Sequence, residues 1–173
     1  MADQFTSADT LTPEAAEAAL RVARETLEEL LQKMKVKAEV QAQWGEPDED
    51  GEPRPLILDV RGDDLSMLIG RKGETLAALQ YITRLITCKR LNTGVSVVVD
   101  VEGYKQRREE QLRRLAQRMA EQAVQRQRVM SLEPMPANER RIIHLELRQH
   151  PSVRTESDGE GDRRKVTIIP KDA

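Results

Sequence analysis

The stretch LIGRKGETL, residues 68–76, decides how the first half of this chain folds. It places two glycines three positions apart, between segments whose apolar residues recur at helical spacing. Glycine lets the backbone turn, and lets a ligand approach the main chain, without a Cβ clash. A helix beginning near Glu74 presents its unpaired N–H groups and the positive end of its dipole to that turn. Because Arg71 and Lys72 add two cations at a solvent-exposed tip, the stretch predicts a loop that clamps a phosphate backbone.

The four residues from Gly70 to Gly73 are a weak signal by themselves, since such a tetrapeptide also forms ordinary turns. Ile69 precedes them and, with other apolar residues around the loop, is expected to line a groove for unstacked bases. The elements on either side of the loop therefore decide between the two interpretations.

Before the loop, the sequence predicts one helix and two strands. Thr12-Pro13-Glu14 combines a hydroxyl N-cap, a first-turn proline and an acidic residue at the positive end of the dipole, so a helix is expected over 13–34. Apolar and polar residues then alternate over 36–44 and again over 56–60, which is typical of half-buried strands. The acidic, turn-rich stretch 45–53 joins the two strands.

Around and after the loop, the sequence predicts two helices and a third strand. A short helix is expected to begin at Asp63 or Asp64, with one of these carboxylates as its N-cap. A second helix is expected from Glu74, and a valine-rich strand over 95–101 follows a turn at Asn92. The predicted inward face of the second helix consists of Leu76, Leu79, Ile82, Leu85 and Ile86.

This order of elements, helix–strand–strand–helix–GxxG–helix–strand, resembles the type II KH domain. The resemblance covers residues 13–102, preceded by a small, polar tail over 1–12 that is expected to be flexible. It implies a nucleic-acid-binding fold without enzyme chemistry. The binding residues expected in this domain are Ile69, Gly70, Arg71, Lys72 and Gly73.

Residues 103–173 predict a second, smaller domain that begins with a long connecting helix over 104–129. A second helix is expected to open at Pro136 and to end before Pro151. Two short strands joined by a hairpin turn at 158–162 are expected to close the chain. The apolar stripe predicted for the long helix is Leu112, Leu115, Met119 and Ala123. The predicted fold class is α+β, with a type II KH domain followed by a small α/β domain.

The helix after Pro136 gathers basic side chains on one face. At about 100° per residue, with Arg140 placed at zero, His144 falls near 40°, Arg148 near 80° and Arg141 near 100°. The spacing allows Arg140 and His144 to lie over one phosphate or sugar. A solvated helix face with a stray histidine is the plainer interpretation. His144 has no partner ligands for a metal and no identifiable nucleophile to serve as a general base.

Arg140 and His144, separated by three residues, resemble the Arg-x-x-x-His signature of the R-three-H domain. The turn at Gly159–Gly161 and the strand over 163–170 are also similar to that domain. The resemblance implies binding of single-stranded nucleic acid through Arg140 and His144, and we extend this surface to Arg141 and Arg148.

A KH domain followed by an R-three-H domain resembles the bacterial SpoIIIJ-associated (Jag/KhpB) family. That resemblance implies a cytoplasmic RNA-binding protein, acting as an RNA chaperone or post-transcriptional regulator, with a second small KH protein as a partner. Some members are linked to cell elongation and division. Many members carry an extra N-terminal Jag-N domain, and with about a dozen residues ahead of the first helix we expect this chain to lack it.

Composition excludes several other classes of protein. Four aromatic residues among 173 are too few for a module that stacks bases on an aromatic sheet face. One cysteine, Cys88, and two histidines leave little material for a metal centre or a disulfide framework. The sequence has neither a membrane-spanning apolar run nor a secretion signal, so we expect a cytoplasmic protein that does not insert into membranes. No nucleotide-binding or hydrolase fingerprint is present, and no cofactor or small-molecule substrate is expected.

The net charge of −2 conceals an uneven distribution. Residues 1–54 carry 6 Lys/Arg against 13 Asp/Glu, whereas residues 55–173 carry 22 against 17. The later part is therefore compatible with an anionic partner, although solvated surface explains the same counts.

Three alternatives to RNA binding stay open at the level of sequence. The chain could be a ribosome- or assembly-associated factor, or a protein-interaction adaptor that uses its acidic first helix. An enzyme would need an unrecognised nuclease site at Asp59, Asp63 or Asp64, and the latter two are better interpreted as helix caps. Single-stranded DNA also remains an alternative to RNA.

Overall fold

The computed structural model describes residues 11–46 and 54–171. Most of the tail predicted over 1–12, and most of the loop predicted over 45–53, lie outside these residues. The chain divides into two compact units between Tyr104 and Lys105. Each unit has its own sheet and its own hydrophobic core.

The first unit is a three-stranded sheet with helices. Its sheet has the order β1-β2-β3, with β1 antiparallel to β2 and β2 parallel to β3. A 3₁₀ turn, Arg71–Gly73, separates α2 from α3. This is the predicted KH topology. The elements are α1 (Pro13–Lys33), β1 (Glu39–Trp44), β2 (Leu56–Arg61), α2 (Ser66–Ile69), α3 (Glu74–Leu91) and β3 (Val97–Val101).

Helix α1 begins as predicted, but because of the way it ends, the first strand begins later in the sequence than predicted. The Thr12 hydroxyl accepts a 3.3 Å hydrogen bond from the Ala15 N–H, which satisfies one of the free amides of the first turn. At the other end Lys35 adopts φ 60°, and the Val36 N–H donates back to the Leu31 carbonyl at 2.9 Å. Because Val36 closes the helix in this way, β1 begins at Glu39 and not at residue 36.

The inward face of α3 differs from the predicted one. Leu76 and Leu79 are buried as expected, but Ile82 and Leu85 are 46% and 48% exposed. At 100° per residue Leu85 lies about 180° from Leu76, so both side chains cannot face one core. Thr83 and Thr87 fill the core positions instead, and the Thr83 hydroxyl donates 2.7 Å to the Leu79 carbonyl.

The second unit contains the small antiparallel sheet β4-β6-β5. Strand β4 was not predicted, because two residues are too short to show an alternating pattern. The β5–β6 hairpin was predicted, but its connection is longer than a tight turn and includes a 3₁₀ turn at Gly161–Arg163. The elements are α4 (Tyr104–Arg126), β4 (Met130–Ser131), α5 (Ala137–Leu147), β5 (Val153–Asp158) and β6 (Lys165–Pro170).

The buried face of α4 contains more small residues than the sequence predicted. Leu112 and Ala123 are buried as expected, whereas Leu115 and Met119 are only partly buried. Alanines at 116 and 120 occupy the stripe in their place and allow neighbouring elements to approach the helix closely. The buried residues of this core are Leu112, Ala116, Ala120, Ala123, Leu132, Met135, Ile143, Leu147, Val153, Val166 and Ile168.

Candidate nucleic-acid interface

The Gly70–Gly73 loop has a backbone that ordinary residues rarely adopt. Gly70 has φ 69° and ψ −171°, Lys72 has φ 53° and ψ 28°, and Gly73 has φ 79° and ψ 12°. Two of the three positive φ angles fall on the glycines, where no Cβ opposes them. The chain thereby passes from α2 to α3 within four residues.

Gly70 is also required by close packing. A Cβ on Gly70 would lie 2.1 Å from the Thr75 Oγ1, in the first turn of α3. At Gly73 an added Cβ would lie 3.1 Å from the ring of Tyr104. The two glycines therefore allow the loop to pack closely against its own unit.

The predicted site residues of the loop are not equally exposed. Arg71 is exposed, whereas Lys72 is half-buried, so the expectation of two fully solvated cations is wrong for Lys72. Ile69 is partly buried against the first core. A left-handed residue such as Lys72 directs its side chain differently from its neighbours, because positive φ rotates the Cα–Cβ bond relative to the chain.

The helix before the loop begins later than predicted. Helix α2 starts at Ser66, and its N-cap is Leu65, without a side-chain cap. The Asp64 carboxylate instead accepts a 3.0 Å hydrogen bond from the Ser66 hydroxyl, and Asp64 has φ 50°. The interpretation of Asp63 or Asp64 as an N-cap is therefore wrong.

Helix α3 begins directly at the end of the loop. Its N-cap is Gly73 in the left-handed conformation, and no side chain caps its first amides. The Glu74 N–H donates to the Arg71 carbonyl, so the positive end of this 18-residue helix lies directly next to the loop that carries Arg71. The arrangement suits one phosphate group of a nucleic-acid backbone.

A second cluster forms where α5 packs on β5. The His144 Nδ1 lies 2.7 Å from the Thr155 hydroxyl, and its Nε2 lies 2.8 Å from the Ser157 hydroxyl. The Arg140 Nη1 donates to the same Ser157 oxygen at 3.1 Å, and its Nε donates to the Met135 carbonyl at 3.3 Å. The predicted pair of Arg140 and His144 is therefore brought together through Ser157.

His144 is held in its neutral form. The pKa of His144 is lowered below its ordinary value of 6.5. Partial burial is the main cause, and the positive charge of Arg140 is the second. At neutral pH its ring therefore has one donor and one acceptor nitrogen, each matched to a hydroxyl group. The imidazole acts here as a hydrogen-bonding link between α5 and β5 and does not carry charge.

The other two predicted residues of this surface point outward. Arg141 and Arg148 are exposed, whereas Arg140 and His144 are half-buried. Helix α5 ends at Leu147, before the predicted end at Pro151, but its C-cap Arg148 keeps helical angles of φ −55° and ψ −40°. Arg148 therefore continues the α5 surface.

Two acidic residues of α5 form ion pairs with α4. Glu139 is 4% exposed and receives two hydrogen bonds from Arg108, at 2.8 and 2.9 Å. Glu146 accepts from Gln117 at 2.5 Å and pairs with Arg113 at 3.4 Å. These acids point toward α4, which leaves the basic face of α5 without a carboxylate from its own helix.

Sequence reasoning missed Thr155 and Ser157. They stand two positions apart on β5, so both side chains lie on the same face of the strand. That spacing is visible in the sequence. The packing of this face on α5 is not, because it depends on the tertiary structure.

Comparison with known families identifies both units. The family model for the KH domain of KhpA and KhpB matches residues 24–101, and the model for the R-three-H domain matches residues 110–170. The chain therefore contains a KH domain of the KhpA/KhpB type followed by an R-three-H domain. The Gly70–Gly73 loop lies in its KH domain, and the α5–β5 cluster lies in its R-three-H domain.

Curated relatives match this chain across both units. The chain is 36% identical over 147 residues to the RNA-binding protein KhpB of Clostridium symbiosum, covering 85% of this chain and 64% of that protein. It is 37% identical over 114 residues to the RNA-binding protein KhpB of Bacillus subtilis, covering 65% and 55%. The chain thus spans less than two thirds of the length of either relative.

Two further observations concern what residues 11–46 and 54–171 contain. None of the helices described there is long and apolar enough to cross a membrane. The same residues include no group of three or more His, Cys, Asp or Glu side chains placed to hold a metal ion.

Proposed function

We propose that this chain is a non-enzymatic protein of the cytoplasm that binds single-stranded RNA through two surfaces. The first is the Gly70–Gly73 loop of the KH domain, spanning residues 13–102. The second is the basic face of α5 in the R-three-H domain, spanning residues 103–173. Such binding would suit an RNA chaperone or a post-transcriptional regulator.

One observation carries the proposal. The loop combines two glycines at positive φ, a helix N-terminus without a side-chain cap and the exposed Arg71 within a few residues of backbone. This combination offers N–H donors and positive charge to a phosphate while requiring no catalytic group. The names of the relatives, RNA-binding protein KhpB, support RNA as the nucleic acid.

The test reverses the charge of the loop. Arg71→Asp with Lys72→Asp should weaken binding of a single-stranded RNA at least about tenfold, because phosphate contacts supply most of such affinity. Aspartate tolerates the left-handed conformation of Lys72, so the fold should survive. The control is Arg21→Asp with Lys89→Asp, two exposed cations elsewhere in the same unit, which changes the net charge equally.

Two outcomes of that experiment are decisive. If the loop variant keeps its thermal melting temperature and loses RNA while the control keeps both, the loop binds RNA. If both variants bind like the original chain, the KH loop is not the RNA site. Incubation of the same RNA with magnesium checks the absence of an enzyme, since cleavage by the pure protein would contradict it.

The proposed strand preference follows from the same geometry. A loop and a helix face reach an accessible backbone and unstacked bases, which a duplex hides. We therefore expect tighter binding of a single strand than of the matching duplex at the same salt concentration. Equal binding of the duplex would favour the alternative of docking on structured RNA.

A second KH domain as partner is favoured by one further observation. Three large side chains on the outer face of α3 are exposed, namely Tyr81, Ile82 and Leu85, at 56%, 46% and 48%. Apolar side chains at such spacing on one helix face mark a contact surface. A small KH protein of the KhpA type fits the family description. Leu85→Glu should abolish co-elution with that protein and leave RNA binding intact.

A further inference from the structure

The solvent face of α5 contains an exposed leucine between two exposed arginines. Arg141, Leu145 and Arg148 stand at positions i, i+4 and i+7, so their side chains follow one another along a single stripe. The stripe is about 10 Å long at 1.5 Å per residue. Leu145 is 53% exposed, while the opposite face of the helix buries Ile143 and Leu147.

Within α5, the charged side chains beside this stripe are basic. The two acids of α5, Glu139 and Glu146, point toward α4 and are paired there. The half-buried Arg140 and His144 lie along the next row of the same helix. An apolar protein surface would leave both exposed arginines facing an uncharged partner, whereas a nucleic-acid strand supplies a phosphate to each.

We propose that one unstacked base of a single-stranded RNA packs on the Leu145 side chain, and that Arg141 and Arg148 bind the phosphates on either side of it. This inference rests on the proposed function and adds to it a base contact that the Arg-x-x-x-His pair does not provide. Arg140 and His144 are positioning residues in this arrangement, because both His144 nitrogens and the Nε and Nη1 of Arg140 are engaged by Met135, Thr155 and Ser157.

The role of Leu145 is apolar contact without charge. A leucine side chain covers the face of any base, so the contact should be tolerant of sequence. It should weaken when the side chain becomes polar and persist when it stays apolar. The arginines contribute through release of counterions, which makes their share of the affinity depend on salt and not on the base.

The experiment compares a 12-nucleotide oligoadenylate with an abasic strand of the same length and the same number of phosphates. The variants are Leu145→Gln, Leu145→Met and the double change Arg141→Ala with Arg148→Ala, all in the full chain. Val129→Gln is the matched control, because Val129 is 54% exposed in the same unit. Glutamine is a good helix former and Leu145 is exposed, so the fold should be retained.

The expected results separate the base from the phosphates. Leu145→Gln should weaken oligoadenylate binding about fivefold, a smaller loss of affinity than removal of a stacked aromatic side chain causes. The salt dependence of binding should not change. Leu145→Met and Val129→Gln should bind like the original chain. On the abasic strand Leu145→Gln should have no effect. The double arginine variant should weaken both strands, and its slope of log affinity on log salt should be shallower by about 1.4.

Other results would overturn the inference in distinguishable ways. If Leu145→Gln binds oligoadenylate like the original chain, or loses equally on the abasic strand, no base rests on Leu145 and the proposed function stands without it. If the original chain binds neither strand, the result contradicts both the base contact at Leu145 and the proposed function.

Discussion

At the scale of single residues, His144 shows how a residue of a binding motif can act through its neighbours. Both of its ring nitrogens lie within 2.8 Å of hydroxyl groups on β5. One of those hydroxyls, that of Ser157, also accepts a hydrogen bond from Arg140. The motif therefore fixes the face of α5 on its sheet. In the proposed function, direct contact with RNA falls to the exposed residues of the same helix.

The neutral state of His144 predicts how stability depends on pH. Burial and Arg140 lower the pKa of His144 in the folded chain below 6.5, so below that pH the unfolded chain binds more protons. The His144 contribution is therefore complete above about pH 6.5 and declines as the pH falls toward the folded pKa. His144→Gln should reduce the loss of unfolding free energy between pH 7.5 and 5, measured by urea denaturation. An identical loss in the variant would show that His144 is not the responsible group.

Gly70 predicts a large cost for one added methyl group. Gly70→Ala should lower the free energy of unfolding by about 2 kcal/mol, because φ 69° is strained for alanine and its Cβ would overlap the Thr75 hydroxyl. Gly161→Ala is the control. Gly161 has φ 51° but no atom within 4 Å of an added Cβ, so about 1 kcal/mol of backbone strain is expected there. Equal losses at both positions would refute the steric part of the argument.

At the scale of elements, the buried pair of Arg108 and Glu139 joins α4 to α5. Arg108→Ala leaves a carboxylate with 5% exposure and no countercharge, so it should lower the free energy of unfolding by about 3 kcal/mol. Arg114→Ala removes an exposed pair to Glu110 at 3.6 Å and should change stability by less than about 0.5 kcal/mol. Denaturant titration of both variants measures the difference.

A double variant separates the pair from the packing. Arg108→Met with Glu139→Leu should recover most of the loss, since two apolar side chains of similar size remove the buried charge as well. No recovery would mean that Arg108 stabilises the unit through some other contact.

Element order was predictable from the sequence, but helix faces were less so. The period of the apolar residues, the Thr12–Pro13 cap and the two glycines of the loop are local signals, and they predicted the KH topology. The prediction for the inward face of α3 was wrong at Ile82 and Leu85, because these two apolar residues lie at angles that turn them away from the core. The buried Thr83 satisfies its hydroxyl within its own helix, which hydrophobicity alone does not reveal.

For the candidate site, the spacing of residues along a helix was predictable from the sequence, but their partners on other elements were not. Arg140 and His144 share a helix face by spacing alone, so their proximity followed from the sequence. Their partners Thr155 and Ser157 belong to a strand whose packing is a tertiary property. Likewise, the sequence pattern showed neither the left-handed backbone of Lys72 nor its half-buried state.

At the scale of the whole molecule, two weak surfaces are joined in one chain. The KH loop offers Arg71 and Lys72, and α5 offers Arg141 and Arg148, so each proposed surface would make few phosphate contacts. When one RNA strand reaches both, the second contact forms at a high effective concentration. We therefore expect the affinity of the chain for a long single strand to exceed that of either surface alone by at least about tenfold.

The most direct test is the salt dependence of binding to one long single-stranded RNA. It compares the original chain, the loop variant Arg71→Asp with Lys72→Asp, the α5 variant Arg141→Ala with Arg148→Ala, and all four changes together. Both partial variants should bind at least about tenfold more weakly, with slopes of log affinity on log salt shallower by about 0.7 per lost phosphate contact. The combined variant should lose nearly all binding. If either partial variant keeps the affinity and the slope of the original chain, that surface does not bind RNA and the two-surface account is wrong.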